Sequence, residues 1–146
     1  SFLTCCTDRD WVGRFVIEDT GLTAEDRRAL AARYPFVEFS TGSAQPAGRY
    51  LLQLRQGWRF FSEEALLARL IGVLQAEPEV SRVGVNLGDA RFLTDDSPAR
   101  TGVRTTASGG RYVLTAGVPE GPVMVDTTRP QSVMTATLDE VLCIHA

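Results

Sequence analysis

The chain has 146 residues, of which 44% are hydrophobic and 23% are charged, a composition typical of one globular domain. Its net charge is -3, and 15 basic residues are scattered among 18 acidic ones, so no basic stripe is available to follow a nucleic-acid backbone. No apolar run approaches the roughly 18 residues that span a bilayer, and the first residues lack the features of a signal peptide. We therefore expect one cytoplasmic domain that neither binds nucleic acid nor spans a membrane.

The cysteines argue against a zinc centre, and the basic residues exclude lysine chemistry. Cys5, Cys6 and Cys143 form no CxxC pair, and His145 is the only histidine, so the sequence predicts reduced, buried thiols and no zinc centre. The sequence contains no lysine, which excludes lysine chemistry such as a Schiff base.

The first third of the chain predicts strands on both sides of a helix. Thr23, with Asp26 three residues later, opens a helix over residues 24–33, and Pro35 ends it. Short apolar runs predict strands at residues 2–6, 14–18 and 36–39. A strand–helix–strand unit of this kind is typical of a parallel sheet.

The middle of the chain repeats the order of strand and helix. An apolar run predicts a strand at residues 50–54, and Ser62 caps a second helix whose first turn contains Glu63 and Glu64. A broad apolar stripe follows on this helix, formed by Leu66, Leu67, Leu70, Ile71, Val73 and Leu74. The next apolar run predicts a strand at residues 80–86.

The last third of the chain differs in character. Residues 95–110 are rich in Asp, Ser, Thr and Gly and predict a long loop. Apolar runs at residues 112–115 and 123–126 predict a small C-terminal β-hairpin, and residues 137–144 fit either a helix or a strand. The whole chain thus predicts an α/β fold with a mostly parallel, Rossmann-like sheet flanked by helices.

The segment FVIEDTGLTAEDR, which begins at Phe15, resembles a segment of GT-A-type nucleotide-sugar glycosyltransferases. In that family a strand ends in an acidic pair that holds the base or ribose of the nucleotide, and Glu18 and Asp19 match this pair. A carboxylate at the end of a strand is suited to accept hydrogen bonds from ribose hydroxyls or a base N–H. We expect Asp19 to be exposed in the free protein; the alternative is that Asp19 caps the backbone of a solvated turn.

A second segment, RYLLQLRQGWRFF at residues 49–61, resembles the strand of the same family that leads into a DxD-type metal motif and an aromatic pair. The resemblance implies a divalent cation, manganese or magnesium, that binds the sugar diphosphate. At residues 55–57, however, this chain has Arg-Gln-Gly in place of acids. Because these cations bind through carboxylate oxygens, we assign no metal ligand and expect weak manganese binding or none.

Two arginines near this turn, Arg55 and Arg59, offer another way to neutralise a diphosphate. Arg55 is therefore a candidate nucleotide-binding residue, since a guanidinium forms bidentate hydrogen bonds with phosphate. One alternative is that nucleotide-sugar binding has been lost. Another is that Arg55 forms a surface ion pair with Glu63 or Glu64.

The candidate general bases are acids, because a base in this chain must be Asp, Glu or His. In the family a late acid deprotonates the acceptor hydroxyl, a position that Asp139 and Glu140 match, and Asp89 after a predicted buried strand is a third candidate. Asp89 also fits an Asx turn, and the other two fit the first turn of a helix capped by Thr137. A late histidine can ligate the family's metal, whereas His145 also fits a frayed terminal side chain.

Two further motifs have both a functional and a structural interpretation. Gly109 and Gly110 fit a phosphate cradle or a simple turn before a strand. The aromatic residues after the turn fit a stacking platform for a base or sugar, or a part of the core, and they are Trp58, Phe60 and Phe61.

The resemblance predicts transfer of a sugar from a nucleotide sugar to a small-molecule or glycan acceptor with a hydroxyl group. It implies a single GT-A-like domain in which residues 1–90 bind the nucleotide and residues 91–146 form the acceptor side. The alternative is a non-catalytic GT-A-like binding or assembly module that has lost its metal site. A Ser-His-Asp hydrolase is disfavoured because the sequence has no nucleophile elbow.

Overall fold

A computed structural model of the protein describes residues 1–42, 45–86, 102–117 and 121–146, which form a mixed α/β fold. The helices are α1 (Phe2–Cys5), α2 (Ala24–Arg33) and α3 (Leu66–Ala76), with a short 3-10 helix at Arg9–Trp11. The strands are β1 (Phe15–Glu18), β2 (Val37–Ser40), β3 (Tyr50–Gln53), β4 (Trp58–Phe60), β5 (Arg82–Gly84), β6 (Arg104–Thr105), β7 (Arg111–Ala116), β8 (Val123–Asp126), β9 (Met134–Leu138) and β10 (Cys143–His145). Within these residues, no helix is both long and apolar enough to cross a membrane.

The largest sheet is mixed and mostly antiparallel. Its six strands follow the order β3-β8-β5-β9-β7-β6, and of the described neighbours only β5 and β9 run parallel. β1 and β2 form a separate parallel pair, as the first strand–helix–strand unit predicted. A third, antiparallel pair joins β4 and β10. The prediction of a mostly parallel, Rossmann-like sheet is therefore wrong, while the α/β class is confirmed.

The position of β8 accounts for much of this difference. β8 lies between β3 and β5 and is antiparallel to both. β7 pairs with β6 and β9, so the predicted hairpin of residues 112–115 and 123–126 is wrong, although both strands exist. A short apolar run between turns predicts a strand, but the partner of that strand depends on tertiary packing. As a result, β3 and β5 from the first 90 residues alternate with β8 and β9 from the last third of the chain.

The two longer helices have different environments. α2 begins where the sequence predicts, because the hydroxyl of Thr23 accepts a hydrogen bond from the backbone N–H of Asp26 at 3.1 Å, yet none of its residues is buried. α3 packs against β5 and buries Leu66, Leu67, Leu70, Val73 and Leu74. Burial of one Leu or Val side chain stabilises the folded state by about 1.5–3 kcal/mol. The contact of α3 with the sheet is therefore a main part of the hydrophobic core.

The N-terminal segment is helical, so the strand predicted at residues 2–6 is wrong. α1 packs Phe2 edge-on against the ring of Phe60, with ring centroids 5.5 Å apart. The backbone of Glu64 then fixes the end of this segment, accepting from Thr7 and donating to the Cys5 carbonyl, both at 2.9 Å. A short apolar run has the same composition whether it forms a buried helical turn or a buried strand.

The three thiols are free and buried, as the sequence predicts. Burial, together with a hydrogen bond to the carboxylate of Asp8, raises the pKa of Cys6 to about 12. Burial also raises the pKa of Cys143 to about 12. Because the thiolate is the reactive form of cysteine, these values indicate structural roles for Cys6 and Cys143.

A distant residue caps the N-terminus of α3. The carboxylate of Asp8 accepts hydrogen bonds from the backbone N–H groups of Leu67 at 3.2 Å and Ala68 at 2.7 Å. Ser62 was expected to cap this helix, but the helix begins only at Leu66, without a side-chain cap from its own N-terminal residue. The cap is a tertiary contact and therefore leaves no signal at the start of the helix.

Arg129 binds the opposite end of α3. Its Nη1 lies 2.7–3.0 Å from three carbonyl oxygens, those of Leu74, Glu77 and Val80. Its Nε pairs at 3.1 Å with Asp126, which is fully buried and also pairs with Arg49 at 3.0 Å. Burial would raise the pKa of Asp126, but hydrogen bonds from Arg49 and Thr128 outweigh burial and lower this pKa to about 2. The buried charge is thus paired, as the low polarity of the interior requires.

Candidate functional site

The acidic pair at the end of β1 separates into two different environments. Oδ1 of Asp19 accepts hydrogen bonds from the backbone N–H groups of Gly21 at 3.1 Å and Leu22 at 2.8 Å. Its other oxygen pairs with Arg27, and the side chain is only 8% exposed. The backbone bonds from Leu22 and Gly21, followed by the bond from Arg27, lower the pKa of Asp19. The expectation that Asp19 is exposed is wrong, whereas Glu18 is exposed.

The turn between β3 and β4 contains the residues that replace the DxD-type motif. The backbone N–H of Trp58 donates to the carbonyl of Arg55 at 3.4 Å, and Gly57 adopts a φ of +85°, which favours glycine. Arg55 and Gln56 are exposed on this turn. The turn therefore presents an arginine, an amide and backbone groups to solvent.

The C-terminal strand brings a histidine onto this turn. β10 pairs antiparallel with β4, which sets His145 opposite Trp58, and Ala146 N–H donates to the carbonyl of Gly57 at 2.7 Å. A Cβ on Gly57 would lie 2.6 Å from Nε2 of His145, so only glycine leaves room for the imidazole. His145 is thus paired within a strand, and its interpretation as a frayed terminal side chain is wrong.

The indole ring of Trp58 packs beside His145 at the β3–β4 turn. The ring of His145 meets the indole edge-on, with centroids 5.8 Å apart and an interplanar angle of 85°. Gly121 packs against the indole ring of Trp58, because a Cβ added to this glycine would lie only 2.6 Å from the nearest indole carbon. Of the other two aromatic residues, Phe60 is buried and Phe61 is 57% exposed. The three aromatic residues therefore do not share one environment, and Trp58 is the one next to His145.

The residues at this turn do not fit a divalent cation. Residues 55–57 carry no carboxylate, and His145 is the one imidazole beside them. In the described ranges, no group of three or more His, Cys, Asp and Glu side chains is arranged to hold a metal ion. Manganese and magnesium require several oxygen ligands, so the donor set at the turn is unsuitable for either ion.

The late acids, Asp139 and Glu140, are both engaged with arginines. Asp139 pairs with Arg111 at 3.2 Å, and Glu140 pairs with Arg69 at 2.7 Å. Arg69 also binds Glu64, and among the described residues Arg55 forms no ion pair with Glu63 or Glu64, the surface pair that was the alternative for it. Burial raises the pKa of Glu64 despite this ion pair. The two late acids follow β9 directly, and the helix that was the alternative for them is absent from this described segment.

The glycine pair before β7 forms a closed turn. The N–H of Gly109 donates to the carbonyl of Thr106 at 3.1 Å, and the N–H of Gly110 donates to the hydroxyl of Thr106, also at 3.1 Å. Both amides are therefore used within the turn, which contradicts the phosphate-cradle interpretation. Asp89, the third candidate base, lies outside the described residues.

Sequence reasoning missed one residue that positions the site. Asn86 is buried after β5, and its side-chain amide donates to the carbonyl of Cys143. Its side-chain oxygen accepts from the N–H of Leu142 at 3.0 Å. These bonds fix the chain where it enters β10, two residues before His145. The sequence signal for this role was a single amide side chain at the end of an apolar run. An amide that is buried there must form hydrogen bonds.

The structure unites some of the predicted site residues and leaves others apart. Arg55, on the β3–β4 turn, and His145 belong to one locality. The side chain of Asp19 bonds to Gly21, Leu22 and Arg27, and its backbone N–H donates to the carbonyl of Ser40 at 2.7 Å, so none of these bonds connects it to that turn. Comparisons of the chain with models of protein families, with curated proteins and with solved structures found no match.

Proposed function

We propose that this domain is glycosyltransferase-like and transfers a sugar from a nucleotide-sugar donor to a hydroxyl acceptor. The supporting observation is the contact between His145 and Gly57. The resemblance assigns the diphosphate to the turn at residues 55–57 and a late histidine to the same centre. These two parts are far apart in the sequence, yet β10 brings one onto the other.

The reaction exchanges one bond at the anomeric carbon of the sugar. The acceptor oxygen forms a bond to that carbon, the bond to the diphosphate oxygen breaks, and a nucleoside diphosphate leaves. The hydroxyl proton passes to a carboxylate base. Glu140 is preferred to Asp139 as this base because its side chain is 36% exposed, against 10% for Asp139, and a base must reach the acceptor. Asp89 remains a candidate base.

Nucleotide binding is proposed at Glu18, at the end of β1. An exposed carboxylate can accept hydrogen bonds from both hydroxyls of a ribose. Asp19 has a supporting role, because its hydrogen bonds hold the turn that follows Glu18. Arg55 is the proposed contact for the diphosphate, since the turn exposes this guanidinium.

A second candidate function is a non-catalytic binding or assembly module. It is favoured by the ion pairs of Asp139 and Glu140, because each of these candidate bases is already hydrogen-bonded to an arginine. It is also favoured by the lack of carboxylates at residues 55–57. This module would keep the fold without sugar transfer.

A thermal-shift screen of nucleotide sugars, followed by an assay of donor hydrolysis, separates these functions. A ligand that binds only the folded protein stabilises it by about 2.7 kcal/mol at a hundred times its Kd. A rise in Tm with one nucleotide sugar, together with slow release of its sugar to water, supports transfer. A rise in Tm without hydrolysis supports a binding module, and no rise with any nucleotide sugar contradicts the proposed transfer.

A further inference from the structure

The β3–β4 turn lacks the ligands for a cation, but Arg55 on this turn and His145 beside it are residue types that can donate hydrogen bonds to phosphate. Arg55 supplies a permanently charged guanidinium with five N–H donors, and His145 supplies a ring N–H. Both groups are exposed. Hydrogen bonds from such groups to phosphate oxygens are short and strong because the acceptor is charged.

The imidazole is held on the turn from two sides. Its Nε2 edge faces Gly57, where the φ of +85° and the missing side chain leave space for it. Its ring meets the indole of Trp58 edge-on, and Asn86 fixes the backbone that leads into β10. A donor that is held in place before a ligand arrives loses little conformational entropy when the ligand binds.

We infer that the diphosphate of the donor binds at this turn without a divalent cation, through His145 and Arg55. This inference rests on the proposed function, and it concerns how that function is achieved. The guanidinium neutralises the phosphate oxygens as a cation would, and the imidazole donates a hydrogen bond to them.

Calorimetric titration with ADP, GDP, UDP and CDP tests the inference on the whole chain. One of the four is expected to bind with the same Kd in excess EDTA and in manganese chloride. His145→Phe retains a ring against Trp58 but loses the N–H donor, so its Kd should rise about tenfold to a hundredfold. Arg55→Gln should also raise the Kd, whereas Arg28→Gln on the exposed surface of α2 should leave the Kd unchanged.

The matching nucleoside, which has no phosphate, separates a phosphate contact from a general loss of structure. His145→Phe should weaken the diphosphate but not the nucleoside, and His145→Gln, which keeps a donor, should recover part of the affinity. Equal loss for both ligands, or an unchanged Kd for the diphosphate, overturns the role of His145. Binding that EDTA abolishes overturns the inference and leaves the proposed function intact, while failure of all four diphosphates to bind overturns both.

Discussion

Asp8 and Arg129 bind opposite ends of the same helix, α3. The carboxylate meets free backbone N–H groups at the N-terminus, and the guanidinium meets free carbonyls at the C-terminus. Each charge therefore has the sign that the helix dipole favours at its end. The core helix of the protein is completed by two residues that lie outside it.

Asp8→Ala should lower the free energy of unfolding by about 1–2 kcal/mol, because it removes both the cap and a favourable charge. Urea unfolding monitored by circular dichroism measures this change. Asp10→Ala is the matched control, since Asp10 is exposed and its loss should change the free energy by no more than about 0.5 kcal/mol. Equal stability of the two variants would contradict the capping role.

Asp126→Asn should destabilise the protein by about 3–5 kcal/mol, because it breaks a buried ion pair and leaves Arg129 without its counter-charge. The pKa of Asp126 is lowered, so its stabilising contribution is present above the ordinary aspartate pKa of about 3.9 and is lost as the pH falls through about 2. The difference in Tm between the parent protein and the variant should be constant at neutral pH and should shrink between about pH 4 and 2. A difference that persists at pH 2 would contradict the pairing.

Substitution of Asp19 should change the stability of the protein, whereas substitution of Glu18 should change its affinity for the nucleotide. Asp19→Ala should lower the Tm, because the N–H groups of Gly21 and Leu22 lose their acceptor. Glu18→Gln should leave the Tm unchanged and raise the Kd of the bound nucleotide about tenfold to a hundredfold. Thermal unfolding and calorimetry measure the two effects, and a normal Tm for Asp19→Ala would refute the structural role.

Gly57→Ala should cost roughly 1–2 kcal/mol through its left-handed backbone alone, with a further loss because its Cβ meets His145. Gly48→Ala is the control, since a Cβ there meets nothing within 4 Å and its φ is ordinary. Gly121→Ala should displace the indole of Trp58. In a Trp11→Phe background Trp58 is the one remaining tryptophan, so its fluorescence reports this displacement, and an unchanged spectrum would argue against the close contact.

Local signals in the sequence predicted where some helices and strands begin and end. The helix α2 occupies residues 24–33 as expected, because its cap Thr23 and its terminating Pro35 are adjacent to it in sequence. The strand β8 covers the predicted residues 123–126 for a similar reason, since it is a short apolar run between turns. Neither prediction required knowledge of a partner.

The features that the sequence did not reveal depend on distant contacts. The start of α3 depends on Asp8, and the place of β8 depends on β3 and β5. Asp19 looked like an exposed ligand because its partner Arg27 lies on the next helix. The site at Gly57 was suggested by a resemblance, but the approach of His145 to it follows only from the pairing of β10 with β4.

The insertion of β8 between β3 and β5 has a consequence for synthesis on the ribosome. The strands β3 and β5 emerge well before residues 123–126, which must lie between them. Until residues 123–126 have emerged, both strands have unpaired edges. The carbonyl of Leu74 near the C-terminus of α3 also lacks its hydrogen bond from Arg129. The first 90 residues therefore cannot complete their sheet during translation. A chain that stalls or is cut before β8 presents open strand edges, which are prone to pair with other chains.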